Sequence, residues 1–207
     1  MKTKERILII SVELFNKNGV TVVTTNHIAK ALDISPGNLY FHFRNKEEIV
    51  FELFKKMARE TYEVWKPRKL SKKSLNVFID ENFSIYWKYR FFHREMYALR
   101  RKDPALAKLW RAHLIKMMKL MEILYRKWIK QGLVVQISSR AEMQFLSDTL
   151  LAMATTFLQF FESAERQPTE KSILRGKKHL ARLVLPYARG PARDELAQLL
   201  QSHSDEF

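Results

Sequence analysis

The chain has 207 residues, 37 of them Lys or Arg and 22 Asp or Glu, for a formal net charge of +15, and it has no cysteine, which removes disulfides, thiolate catalysis and cysteine-based zinc sites. No apolar run approaches the roughly 20 residues of a membrane span, and the start MKTKERILIISVELF is amphipathic without a cleavage site, so a cytoplasmic chain without membrane association is expected. A hydrophobic content of 46% with 29% charged residues is that of a globular protein, and 5 glycines with 6 prolines suit long helices and few turns, so the expected fold class is all-α.

The first element is a helix whose face is marked by Ile7, Ile10, Ser11, Leu14 and Phe15, stopped by Asn18-Gly19. Val20 to Val23 is too short to demand a strand. The segment Thr24 to Lys46, TTNHIAKALDISPGNLYFHFRNK, then sets two short helix patterns around a tight turn. Ile28, Ala29 and Leu32 give the first an apolar stripe, with Thr24 or Thr25 as N-cap. Asp33-Ile34 interrupts it. Ser35 is a favoured N-cap, and Pro36 sits at the first helical position, where its missing N–H costs nothing. In that second helix Gly37, Asn38, Tyr40, Phe41 and His42 present contact chemistry, while Leu39 alone is suited to packing inward. The pair reads as a DNA-binding helix-turn-helix. Asn45 caps a further helix with the stripe Ile49, Val50, Leu53, Phe54 and Met57, and Lys46 lies in its first turn, where the macrodipole favours phosphate.

Beyond Lys66-Pro67, Ser71 is placed to cap a helix through Leu75, Phe78, Ile79, Asn82, Phe83 and Tyr86. The stretch Tyr86 to Tyr97 interleaves rings with cations. Asp103-Pro104 starts a long helix ending near Gln131-Gly132, with a broad apolar face that includes Leu109, Met117, Met118, Met121, Leu124 and Trp128. Two more helices are expected, from Ser139 or Arg140 to about Ser163, apolar around much of its circumference, and from Thr169 to about Tyr187. Gly190-Pro191 then separates a short last helix bearing Leu196, Leu199 and Leu200.

Arg6-Ile-Leu, Leu14-Phe15, Gly19, Thr24-Thr25, Ile28-Ala29, the run Ser35 to Phe43 and Lys46 fall at the spacing of a family signature, and the chain resembles the TetR family over its first quarter. The resemblance implies a helix-turn-helix DNA-binding domain at 1–46, followed by an effector-binding and dimerisation domain at 47–207 in which 47–66 is the connecting helix. It implies that Thr24, Thr25, Tyr40, Phe41 and His42 contact phosphate or groove walls, and that Lys46 contacts backbone phosphate. Asn26, Pro36, Gly37 and Asn38 become neighbours of base edges or the groove floor, with Ser35 heading the same surface. Asn26 stands where some members carry a base-reading arginine; an amide there can pair with adenine. The resemblance further implies a homodimer on a palindromic operator, most simply as a repressor, with the two long helices after Ser139 forming a four-helix dimer interface. A cavity among the middle helices would take an apolar or amphipathic small-molecule effector, with Phe83, Tyr86, Trp87, Arg90, Met117, Met121, Phe145, Thr149, Met153 and Phe157 as candidate lining. Each of these alone would equally fill a core. The segment Tyr86 to Met96 with the run from Asp103 to Ala107 is similar to a subgroup that regulates polyhydroxyalkanoate or fatty-acid metabolism, which points to a fatty acid or acyl-coenzyme A.

Residues 1–46 carry 7 Lys or Arg against 3 Asp or Glu, so most of the positive charge lies further on, much of it between Lys88 and Lys130. Solvated helix faces account for such charge; so does a field that draws the protein onto DNA, or cations among Arg90, Arg94, Arg100 and Arg101 that meet an anionic effector. There is no glycine-rich phosphate loop, HExxH or GxSxG, and no carboxylate cluster beside His93 and His113, so neither an enzyme nor a cofactor or metal site is expected. A helical lipid carrier without specific DNA binding would explain the apolar middle helices but leaves Thr24 to Lys46 without a purpose.

Overall fold

The computed structural model describes residues 2–66, 74–137, 139–165 and 170–201. Among them the helices are α1 (Thr3–Asn18), α2 (Thr25–Ala31), α3 (Pro36–His42), α4 (Lys46–Val64), α5 (Leu75–Lys88), α6 (Arg90–Lys102), α7 (Pro104–Lys130), α8 (Arg140–Glu165), α9 (Glu170–Val184) and α10 (Gly190–Gln201), with a 3₁₀ turn at Leu185–Tyr187. The chain divides into two compact units, one of residues 1–60 and 88–110, the other of 61–87 and 111–207.

The caps sit where side-chain chemistry allows them. Thr24 accepts from the His27 N–H while the His27 ring accepts from the Thr24 N–H, so Thr24 caps α2. Ser35, Asn45, Asp103 and Ser139 each accept from a backbone N–H in the first turn of α3, α4, α7 and α8. Ser71 and Thr169 lie outside the described residues; Ser74 accepts from the Val77 N–H at the start of α5. Asp33, in the turn between α2 and α3, has φ of 53°. This left-handed conformation is one an aspartate tolerates better than a branched residue.

In the first unit Ile7, Ser11 and Phe15 of α1, Ile28 of α2, Leu39 of α3, Phe43, and Ile49, Leu53 and Phe54 of α4 are all buried. The Ser11 hydroxyl donates to the Ile7 carbonyl, so this polar group is buried without an unpaired donor. Helix α6 completes the core: Phe91 packs on Phe15 with ring centroids 5.3 Å apart, and Phe92 meets Phe54 edge-on at 5.6 Å. The Asn16 amide donates to the Lys88 carbonyl at 2.8 Å and accepts from the Phe91 N–H at 3.1 Å, and Arg94 donates to the Asn16 carbonyl. The compact division therefore does not fall at residue 46, where the sequence sets the end of the DNA-binding domain. Residues 88–110 belong to the same core because α1 and α4 leave aromatic surface that Phe91 and Phe92 cover.

The second unit packs α5 and α7–α10. One cluster joins Ile79 and Phe83 to Phe157, Leu158 and Phe161 of α8, Ala181 of α9, and Leu196 of α10; a second gathers Trp65, Phe78, Met117 and Leu124. Gly176 lets α9 lie against the rings of Phe157 and Phe83, both under 3 Å from where a β-carbon would stand. The loop after α7 is tied to the end of the 3₁₀ turn, with the Val135 N–H donating to Tyr187 and the Arg189 N–H to Leu133, both at 2.8 Å. Among the described residues no helix is long and apolar enough to cross a membrane.

Candidate functional site

The helix-turn-helix residues form an exposed polar and aromatic surface. Leu39 is fully buried, while Ser35, Pro36, Gly37, Asn38, Tyr40 and Phe41 are exposed, Phe41 by 85% of its surface. A seven-residue helix with one inward side chain has no other core role for these groups. Asn26 and His27 are exposed on α2, and Thr25 and His42 are half-buried. The hydroxyls of Thr25 and Tyr40 lie 3.0 Å apart and hydrogen-bond, fixing the start of α2 against the middle of α3. The His42 ring meets Phe41 edge-on at 5.1 Å. The Lys4 ammonium of α1 lies over the Phe43 ring at 5.1 Å. Lys4 carries no motif signal; only the packing of α1 places it there.

Lys46, for which the resemblance implies a backbone phosphate, is engaged within its own unit. Its ammonium donates to the carbonyls of Val20 at 2.5 Å, Val23 at 2.7 Å and, more weakly, Thr21 at 3.4 Å. These acceptors match the three protons of the group. The same turn is held from α6, where the Glu95 carboxylate accepts from the Val20 N–H at 2.8 Å. Lys46 and Glu95 therefore grip the turn that leads into α2.

The second unit contains an apolar cavity of about 90 Å³. Of the expected lining, Phe83, Tyr86, Met121 and Met153 are on its wall. The others are not. Arg90 belongs to the first unit, beside Leu8, Val12 and Lys88; burial, and then Arg94, lower its pKa. Met117 packs into the cluster of Trp65 and Phe78. Phe145 is 67% exposed, and the Thr149 hydroxyl donates to the Phe145 carbonyl. Phe157 stands behind Phe83 at 5.1 Å, and Trp87 is half-buried away from the wall. The wall instead includes Trp65, Phe78, Asn82, Tyr125, Trp128 and Ser147. Asn82 accepts from the Trp65 indole N–H at 2.6 Å and donates to the Phe78 carbonyl at 2.7 Å. Burial pushes the phenols of Tyr86 and Tyr125 up to about 12.

Residues 7–53 match the sequence profile of bacterial regulatory proteins of the tetR family, and residues 53–196 that of the TetR bacterial transcriptional repressor. The chain is similar to the HTH-type transcriptional regulator QacR of Staphylococcus aureus, 38% identical over 86 residues, 42% of this chain and 44% of that protein. It is similar also to the fatty acid metabolism regulator protein of Bacillus subtilis, 30% identical over 84 residues, 39% of this chain and 43% of that one. Its matches thus span less than half the length of these curated relatives. A crystal structure of a TetR-family transcriptional regulator from Marinobacter aquaeolei superimposes with a TM-score of 0.83 and 29% identity, covering 97% of this chain and 98% of that one. GusR of Salmonella enterica shares the fold at a TM-score of 0.61 and 20% identity, over 87% and 94% of the two chains. With the helix-turn-helix surface at one end of the sequence and the repressor profile across the remainder, the chain belongs to the TetR family of bacterial transcriptional repressors.

Proposed function

We propose that this chain is a cytoplasmic homodimeric repressor that binds a palindromic operator and is released by a small apolar effector. The observation that carries the reading is the exposed α3 surface, where one buried leucine fixes the helix and Asn38, Tyr40 and Phe41 face outward. Two copies of α3 would enter successive major grooves, about one helical turn apart, roughly 34–36 Å. Asn26, Pro36, Gly37 and Asn38 would lie along base edges, Thr24, Thr25, Ser35, Tyr40, Phe41 and His42 along phosphates and groove walls, and Lys46 would hold the turn before α2.

Dimerisation through α8 and α9 is supported by the outer face of α8. Phe145, Thr149, Ala152, Thr156 and Phe160 recur at helical spacing there, and both phenylalanines are 67% exposed. Small residues between two aromatic anchors suit a symmetric contact with a second copy. The second unit's cavity would receive the effector. Helix α4, which the chain follows from the first unit into the second, is the proposed lever on the spacing of the reading heads. By linkage, an effector that weakens DNA binding must itself bind the DNA complex more weakly.

The test is fluorescence-anisotropy binding to the chain's own upstream intergenic DNA with random duplex as competitor, for the wild type and Asn38→Ala. Tight, competitor-resistant binding is expected. Asn38→Ala should shift sequence preference, costing about 1–3 kcal/mol at the base it reads. Equal losses on operator and random DNA would remove the base-reading role of Asn38, and equal weak binding of the wild type to both duplexes would favour a carrier.

A further inference from the structure

We infer that the effector is an electrically neutral, ring-bearing apolar molecule with a single hydrogen-bonding group, oriented by Ser147. This rests on reading the second unit's cavity as the effector site.

Among the described residues the wall contains no Lys, Arg, His, Asp or Glu. A carboxylate or an ammonium placed inside would give up its hydration and meet no opposite charge, which is why buried charges in proteins are paired. The polar side chains of the wall are largely spoken for. Both ends of the Asn82 amide are engaged, and the Tyr125 hydroxyl donates to the Val135 carbonyl at 3.0 Å. Ser147 is different: it is buried, lies on the wall, and its hydroxyl makes no hydrogen bond among the described residues. A buried hydroxyl in this position gains from a ligand that supplies one partner.

The shape of the wall favours a ring. Phe78 meets the rings of Trp65 and Trp128 edge-on at 5.0 and 5.9 Å, and Tyr86 meets Phe83 in the same way at 5.6 Å. Faces and edges of this kind hold a planar guest by the same offset and edge-to-face contacts that aromatic side chains make with one another. The volume is of the order that takes a single small ring, far below the several hundred Å³ of pockets for larger ligands. Met121, Met143 and Met153 on the wall allow modest widening. These properties argue against an acyl-coenzyme A, whose bulk and charge both exceed the site.

Three single-ring probes separate the possibilities: phenol, benzoate and benzylammonium, titrated at neutral pH into the full chain with tryptophan fluorescence as readout, since Trp65 and Trp128 line the cavity. The neutral probe is expected to bind at least about 100-fold more tightly than either ion. Ser147→Ala should weaken phenol about 3- to 10-fold and leave toluene unchanged; this substitution is too small to endanger folding. Leu150→Trp, filling the cavity, should abolish binding of all neutral probes. Ion binding as tight as that of phenol and lost in Leu150→Trp would overturn the neutral class while leaving the site in place. Unchanged phenol binding in a folded Leu150→Trp would instead overturn the cavity as the effector site. Failure of every probe to bind would overturn the inference, as would an unchanged phenol affinity in Ser147→Ala for the role of that hydroxyl.

Discussion

Replacing Lys46 with methionine keeps the aliphatic stem and removes the ammonium that meets the carbonyls of Val20, Thr21 and Val23. A hydrogen bond to a charged group contributes about 1.5–3 kcal/mol when buried. Two of these bonds are short, the third is long, and the group is only half-buried, so part of the loss is recovered by water. The expected cost is about 2 kcal/mol in the stability of the first unit. Because the freed turn carries the start of α2, operator affinity should fall about 10- to 30-fold, at 1.4 kcal/mol per tenfold. The decisive readout is salt dependence. A lysine on a phosphate adds about 0.9 to the slope of log K against log salt concentration, whereas a lysine that clamps carbonyls adds nothing. Anisotropy titrations between about 50 and 300 mM salt should give Lys46→Met the same slope as the wild type at a lower affinity. Lys46→Arg should not rescue, because a planar guanidinium cannot aim its donors at three convergent carbonyls, although it would serve well on a phosphate. A slope reduced by about one per lysine removed, unchanged stability and full rescue by arginine would together refute the clamp.

Gly176→Ala would set a β-carbon 2.7 Å from the Phe157 ring and 2.8 Å from that of Phe83; overpacking of this kind costs about 1–3 kcal/mol. Thermal denaturation should report the loss, with weaker effector binding as Phe83 is pushed toward the cavity, and an unchanged melting temperature would show that α9 shifts freely. Phe160→Arg places a charge on the α8 face and should weaken dimerisation at least ~100-fold, about 3 kcal/mol; sedimentation velocity that still finds a dimer at low micromolar concentration would exclude this face. Burial holds the Tyr86 phenol at about 12, above the ~10 of a free tyrosine, so its neutral form stabilises the fold fully below pH 10, and that contribution disappears as the pH climbs from 10 to 12. At about 1.4 kcal/mol per unit, Tyr86→Phe should lose less melting temperature than the wild type across this interval, and parallel curves would contradict the burial.

The helix-turn-helix was legible because its constraints are local. Ser35 caps and Pro36 opens the helix within one turn, and Leu39 is the single inward residue that a two-turn helix needs. The caps at Asn45 and Asp103 follow from side-chain reach within one turn. What escaped the sequence depends on partners far along the chain. The three carbonyls that engage Lys46 lie 23 to 26 positions away, and Asn16 is satisfied by residues more than 70 positions downstream. The cavity wall was half-read for a related reason. Helical periodicity identifies apolar faces but not which face meets a void, so Met117 and Phe157 were as eligible as Met121 and Phe83. Trp65 and Ser147 lacked any signal of their own: one ends a helix, and the other is a small polar residue in an apolar run.

The way α6 closes over α1 bears on how this chain can be recombined with others. A transplant of residues 1–60 into a foreign scaffold would carry every side chain proposed to face the bases and still arrive incomplete. The Asn16 amide would lose both of its backbone partners, the Val20 N–H its carboxylate, and Phe15 and Phe54 the rings that cover them. The smallest transferable piece is thus discontinuous, two stretches of sequence that must be inherited together. Exchange of specificity between homologues would accordingly proceed by substitution on α2 and α3 and not by shuffling of an N-terminal cassette.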